Sequence, residues 1–244
     1  MKNIVLACVL LLFFPTILPA QDKKPFEPVV TLKWAPAGLL AGGINLHAEY
    51  NIAGRSSLTA KIGIPSGATR QFEYEGKDVD FTMKATSFLA GYRRYIGRRP
   101  MRGLYFEPYF KYLHHTAEGT GTGTIGSRTV TMNFTNSYNG YGIGAQLGAQ
   151  FLIGKRFTID LFFLGPEINA AENNLKAVEI SSTIPWTQVE AQDAERDIKE
   201  FIDQFPFIRK RTNIMVDRDN KTVTAAFKGA LPGYRLGVSF GIAL

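Results

Sequence analysis

From residue 28 onward, apolar and polar side chains alternate with a period of two, and few folds satisfy such a pattern. On a strand, successive side chains leave on opposite faces, so the period describes a sheet with two unlike faces. The clearest stretch is Ile44-Asn45-Leu46-His47-Ala48-Glu49-Tyr50. Ile44, Leu46, Ala48 and Tyr50 share one face, and Asn45, His47 and Glu49 share the other.

Eight segments read this way: residues 29–34, 44–50, 57–64, 81–96, 104–114, 138–153, 157–163 and 234–244. The faces of the fourth are ambiguous past Ser87, which allows a bulge there. Three connections are short, at Ala53-Gly54-Arg55, residues 97–102 and Gly154-Lys155-Arg156. The one around residues 35–43 is modest, and those at 65–80, 116–137 and 165–232 are long. Short turns at one end and long loops at the other form the layout of bacterial outer-membrane barrels. An even strand number puts both termini at the short-turn end.

A soluble sandwich also alternates, so the content of the faces has to decide. Here the apolar faces are continuous and rich in Phe, Tyr, Leu and Ile, while the opposite faces mix charge with glycine. That division suits a barrel with lipid outside and polar groups in the lumen, and closure leaves no open edge in hydrocarbon. Trp34, Tyr50, Tyr95, Tyr138, Tyr141 and Tyr234 lie near strand ends, where an interfacial girdle would sit. The expected fold is therefore all-β, an eight-stranded antiparallel up-and-down transmembrane β-barrel. Eight strands leave a lumen just wide enough for its own side chains. Lys33, His47, Glu49, Lys61, Lys84, Glu107, Lys111, Gln146, Asp160 and Arg235 are assigned to that lumen as a charge network that plugs it.

The N-terminus reads as an export signal. Lys2 precedes an apolar run at residues 4–17, and Pro19-Ala20-Gln21 resembles a cleavage region, so residues 1–20 are assigned to a signal peptide. After that run no stretch is apolar for eighteen residues, so no helical span is expected. Cys8, the only cysteine, falls in the signal and leaves a mature chain without thiol or disulfide chemistry. The net charge of +7 falls to +6 with the loss of Lys2 and suits contact with lipopolysaccharide phosphates.

One segment, residues 166–231, breaks the pattern. Thr187-Gln188-Val189-Glu190 is a capping box, and Ala194, Ile198, Phe201, Ile202 and Phe205 follow at helical spacing up to Pro206. The spacing predicts a helix over residues 187–205 within a long last loop, packed over the barrel mouth. Arg209-Lys210-Arg211 forms a basic patch, the candidate contact for an extracellular partner or glycan. Residues 213–216 and 222–227 predict a hairpin, which would make ten strands if it joined the ring. The Asp217-Arg218-Asp219-Asn220 stretch lacks the glycine and glutamate of a calcium loop, so no metal site is expected.

The residues from Leu32-Lys33-Trp34 through Gly42 to Tyr50, together with 57–65, resemble the opening of a family of small Bacteroidota outer-membrane barrels without assigned function. Gly140-Tyr141-Gly142-Ile143-Gly144 and the later Ile153-Gly154-Lys155-Arg156-Phe157-Thr158-Ile159-Asp160 resemble that family's late hairpin. The layout is more distantly similar to OmpA- and OmpX-type barrels. The insertion at 166–231 departs from the family's short last loop. The resemblance implies fold and location and brings no catalytic residues.

Chemistry has few candidates. His114-His115 lie near Ser137 and Glu118 at the loop end of the fifth strand, where a lipid A-modifying hydrolase or acyltransferase would place a base. His47 beside Glu49 reads as part of the lumen network. The run from Gly119 to Gly126 lacks the Lys-Ser/Thr ending of a phosphate loop and reads as a flexible surface loop. The expectation is a monomeric, non-enzymatic outer-membrane protein without cofactor and without a nucleic-acid partner. It would contact outer-membrane lipid and lipopolysaccharide and serve a structural, adhesive or ligand-binding role. A lipid A-modifying enzyme and a small-solute pore are the alternatives.

Overall fold

The computed structural model describes residues 27–74 and 77–244, so the signal assigned to residues 1–20 lies outside the described residues. Ten strands form one sheet: β1 (Val30–Ala35), β2 (Gly43–Ala53), β3 (Ser56–Pro65), β4 (Ala68–Tyr74), β5 (Lys77–Tyr95), β6 (Gly103–Ile125), β7 (Arg128–Ile153), β8 (Phe157–Glu179), β9 (Thr212–Asp217) and β10 (Thr222–Ala243). Eight of them close a ring in the order β1-β2-β3-β5-β6-β7-β8-β10, with β10 pairing back onto β1. Every pairing in the ring is antiparallel. The fold is an all-β barrel of eight strands. Among the described residues β4 pairs only with β5 and β9 only with β10, so the hairpin at residues 212–227 adds no strand to the ring, and the ten-stranded alternative falls.

The stagger follows from the registers. Lys33 pairs with His47, His47 with Lys61, Lys61 with Leu89, Leu89 with Lys111, Lys111 with Gly142, Gly142 with Asn169, and Asn169 with Leu231. On its other side Lys33 pairs with Gly241, ten residues along β10 from Leu231. Strands so sheared tilt by about 40° from the barrel axis. Side chains at one height therefore come from different hydrogen-bonded rows.

The bulge allowed past Ser87 is not found. Alternation in β5 runs unbroken, with Ala85, Leu89, Arg93 and Tyr95 buried inside, and the register against β6 does not shift. The register shifts lie instead between Asn51 and Ala53, Leu147 and Gly148, and Arg235 and Gly237.

The expected long loops are largely strand. β6 and β7 continue past the apolar zone and meet in a tight turn at Gly126, so residues 119–125 are strand rather than flexible loop. The Thr-Gly alternation hides this, because a glycine face offers no polarity contrast. Gly119 lies inside a packed corner: a Cβ there would come within 2.5 Å of the Asp80 carbonyl oxygen and 2.7 Å of the Phe81 ring. At this end β1, β2 and β3 stop early, and β4, β5, β6, β7, β8, β10 and β9 rise together as an open sheet.

Helix α1 (Gln188–Asp203) roofs the inner face of that projection. Its capping box is formed as read: the Thr187 side chain accepts from the Glu190 N–H, and Glu190 accepts from the Thr187 N–H. Trp186, Ala191 and Ala194 are buried against Ile125, Val130, Met132, Ala177 and Val223 of the sheet, with Ile198 half-buried beside them, and Ile202 is buried farther along the helix. The helical run ends at Asp203, before Pro206 as expected, and Pro206 then opens a second short helix, α2 (Pro206–Arg209).

Candidate functional site

The lumen holds the largest assembly of chemistry-bearing side chains among the described residues. Its floor is apolar: Tyr95, Met101 and Tyr105 pack together beside the short turn at residues 96–102 and are almost wholly enclosed. Directly above lie Lys33, Arg93, Glu49, Glu107 and Asp160, supplied by six strands together with Gln146 and Gln150. Period two aims each of these inward, and the shear brings them to one height.

Arg93 is the centre. Its Nε donates to Glu107 Oε2 at 2.8 Å, and its Nη1 donates to Asp160 Oδ2 at 2.9 Å, Gln150 Oε1 at 3.0 Å and Glu49 Oε2 at 3.1 Å. Its guanidinium carbon stands 3.7 Å from the centre of the Tyr105 ring. Lys33 Nζ donates to Glu49 at 2.7 Å, to Asp160 at 2.8 Å and to Gln150. Tyr95 and Tyr105 hydroxyls donate to Glu49 Oε1 and Asp160 Oδ1, each at 2.6 Å. Glu107 further accepts from Thr59 at 2.8 Å and Gln146 at 3.0 Å, and Lys61 stands 4.0 Å from it. Lys33, Lys61 and Arg93 thus balance Glu49, Glu107 and Asp160. Charges removed from water persist when paired and hydrogen-bonded in this way.

A second layer sits above. Lys111 pairs with Glu167, which also accepts from Tyr109 at 2.9 Å and Asn169 at 3.3 Å. Arg235 lies over the Tyr109 and Phe162 rings. Of the residues assigned to the lumen, Lys33, His47, Glu49, Lys61, Glu107, Lys111, Gln146, Asp160 and Arg235 face in. Lys84 does not: it is exposed on the outer face, because unbroken alternation in β5 aims odd-numbered side chains inward. The same parity makes Arg93 a lumen residue, which the ambiguous reading of that strand missed. Tyr95 also points in and Tyr138 is half-buried on the inner face, so neither belongs to the girdle, whereas Trp34, Tyr50, Tyr141 and Tyr234 are exposed outside.

The projection has its own ion cluster. Glu179 is buried and accepts from Arg128 at 2.8 and 3.1 Å, from Trp186 Nε1 at 2.5 Å and from Ser181 at 2.8 Å. Burial works against its ionised form, but the Arg128, Trp186 and Ser181 hydrogen bonds outweigh it and hold the carboxyl at about 2. Arg128 also donates to Glu190 at 3.0 Å, tying the N-terminus of α1 to the sheet, and hydrogen bonds from Thr187 and Arg128 hold Glu190 below the usual carboxylate range.

His114 and His115 fall on opposite faces of β6. His114 Nδ1 meets Asn139 at 2.8 Å, whereas His115 pairs in register with Tyr138 on the inner side. They do not converge on one centre, and Ser137 and Glu118 lie across from Thr116 and Thr135. Arg209, the last residue of α2, and Lys210 and Arg211, which lead from it into β9, are exposed. Among the described residues no group of His, Cys, Asp and Glu has the arrangement of a metal site.

No family model matches the chain, and no curated protein matches it. Among solved structures, the crystal structure of Acinetobacter baumannii CarO is similar over 91% of this chain and 100% of that one, at 11% identity and a TM-score of 0.41. The barrel assignment rests on the strand registers themselves, and the resemblance to Bacteroidota barrels finds no counterpart in these comparisons.

Proposed function

We propose that the chain is an outer-membrane protein in which a plugged barrel anchors a rigid recognition module at the cell surface. The observation that carries this is strand length. A tilted strand crosses a bilayer in about 9–11 residues. β6, β7, β8 and β10 have 23, 26, 23 and 22 residues, and α1 roofs the surplus with its own apolar core.

Three features support the anchor. Ile44, Leu46, Ile62, Phe88, Phe106, Phe110, Ile143, Leu161, Ile168 and Leu236 expose their side chains on the outer face as a belt, an arrangement that costs nothing in hydrocarbon and is untenable in water. The belt ends where Lys228 pairs with Glu172, the level at which head groups would begin. The lumen is filled by the Arg93 network and floored by Tyr95, Met101 and Tyr105, which favours an anchor over a solute pore. Arg209-Lys210-Arg211, exposed at the base of the module where Thr212 of β9 pairs with Phe227 and the Arg211 side chain lies beside Gly229, suits an anionic partner such as a lipopolysaccharide phosphate or an acidic glycan. The role is binding rather than catalysis.

The test is surface labelling. Intact cells are treated with an impermeant amine reagent, and modification of Lys210 is read by mass spectrometry. Labelling without lysis supports the reading; labelling only after lysis overturns it. Salt-dependent binding of lipopolysaccharide, lost when Arg209, Lys210 and Arg211 are changed together to alanine, would identify the module's contact.

A further inference from the structure

The ring closes between β1 and β10 over only four residue pairs, Thr31 to Trp34 against Ala243 to Phe240. β9 takes up the same edge of β10 again from Phe227 toward the tip. Between these, residues 228–239 of β10 pair with β8 on one side and, among the described residues, with no strand on the other. This edge stands inside the apolar belt, since Tyr234 and Leu236 are exposed outward from it below Lys228. Open sheet edges are costly in hydrocarbon because their N–H and C=O groups find no partners there. β1 does not continue along it. The chain turns at Ala35 into a 3-10 helix, Pro36–Ala41, which bonds to itself and exposes Leu39 and Leu40.

Behind the edge lies the one lumen cation without an ion pair among the described residues. Arg235 projects inward from the middle of the unpaired stretch, its guanidinium 5.1 Å from the centres of both the Tyr109 and Phe162 rings, and its Nη1 has no hydrogen-bond partner. Lys61 Nζ, 4.9 Å from the centre of the same Phe162 ring, has none either. His47 Nδ1 and Asn169 Oδ1 are also buried without partners. His47, Lys61 and Asn169 are each more than nine-tenths buried. The lower layer is neutral and Lys111 is matched by Glu167, so the lumen carries one positive charge in excess, at Arg235.

We propose that the gap between β10 and the Pro36–Ala41 turn is a lateral portal for a long-chain carboxylate. The head group binds Arg235, whose planar fork matches a carboxylate, with Lys61 adding charge from behind. The alkyl chain leaves through the wall along Tyr234, Leu236 and Leu39 and lies against the edge, keeping water from it without bonding to its N–H and C=O groups. A single negative charge neutralises the lumen, and a single chain fits an opening left by one strand. This inference rests on the belt facing lipid.

Calorimetric titration of the full chain in maltoside micelles tests it, with dodecanoate as the probe. Butyrate carries the head without the chain, and dodecanol the chain without the head. Saturable binding of dodecanoate, absent for butyrate and dodecanol and weakened at least about tenfold in Arg235→Met but not in the exposed-site variant Lys228→Met, supports the portal. In the unmodified protein, amide exchange at residues 233–238 should slow when dodecanoate is added. Non-saturable partitioning, equal binding of butyrate, undiminished binding by a folded Arg235→Met, or unchanged exchange overturns it. So does a stable dimer whose residues 228–239 are protected without added amphiphile, which would assign the edge to a second copy. Insertion of the same preparation into vesicles is scored separately, so failure of the portal and failure of the anchor are distinguishable.

Discussion

Replacing Arg93 with methionine is the sharpest test of how this lumen is held. Arg93 touches Glu49, Glu107 and Asp160 and is fully enclosed. Methionine keeps much of the stem that lies on Tyr105 and removes only the charge. Lys33 and Lys61 are then left facing three carboxylates, one of which has lost its counter-charge in a site without water access. Removing one partner of a buried pair costs about 3–5 kcal/mol, far more than the net worth of the pair itself. Adding Glu107→Gln to Arg93→Met restores neutrality and keeps an acceptor for Thr59. The double variant should therefore be more stable than Arg93→Met alone, recovering about 2 kcal/mol. Urea unfolding from phospholipid vesicles, followed by tryptophan fluorescence, measures both, with an unchanged denaturant slope as the check on two-state behaviour. If Arg93→Met costs less than about 1 kcal/mol, or if the two substitutions simply add, the lumen is not held by charge balance.

The cap yields a pH dependence. The Glu179 carboxyl is held down at about 2, so its stabilisation is complete above the unfolded value near 4.5 and is lost as pH falls from there toward 2. Trp186 emission should shift to the red over that window, and Glu179→Gln should abolish the transition. Thr187→Ala removes the cap of α1 and should cost about 1 kcal/mol, seen as faster proteolysis between residues 188 and 211 with the barrel core intact. Gly119→Val drives a side chain into Phe81 and the Asp80 carbonyl, so amide exchange should quicken along the β5–β6 projection while the ring below keeps its protection. Planar-bilayer recordings should show no stable large conductance, whereas a variant that opens the floor, Tyr105→Ala with Met101→Ala, should raise it.

Much of the barrel was legible because its two faces meet unlike surroundings. In β2 and β3 the alternation alone put His47, Glu49 and Lys61 inside, and the registers agree. What the pattern does not carry is which charges meet. Lys33 and Asp160 are 127 residues apart and touch because of the shear, a property of the closed ring rather than of any segment. Arg93 was missed for a local reason: it adjoins Arg94, so two consecutive cations blur the parity, and only the pairing of β5 with β3 and β6 settles which one is enclosed.

The projection reads as loop in the sequence, and the cause is physical. Period two stands out where one face meets hydrocarbon and the other a polar lumen. Beyond Tyr112 on β6 and Tyr141 on β7 both faces become polar or small, as in Thr116-Ala117-Glu118-Gly119-Thr120 and Thr135-Asn136-Ser137, although hydrogen bonding continues without a break to Ile125 and Arg128. The pattern fades where the solvent changes, and the strand does not. Apolar side chains return farther along, at Ile125, Val130 and Met132, but they serve another partner, since they pack on Ala191 and Ala194 of α1. A sequence signal produced by the environment of a face thus marks the belt and the cap separately and leaves the stretch between them silent. That silent stretch lies beyond the apolar belt, whereas the open edge of β10, residues 228–239, begins inside it, where β1 stops pairing at Phe240. In the illegible zone the chain passes from a closed cylinder with an apolar outer face to an open sheet with two polar faces, and the bonds that define it are backbone bonds, to which side-chain periodicity is blind.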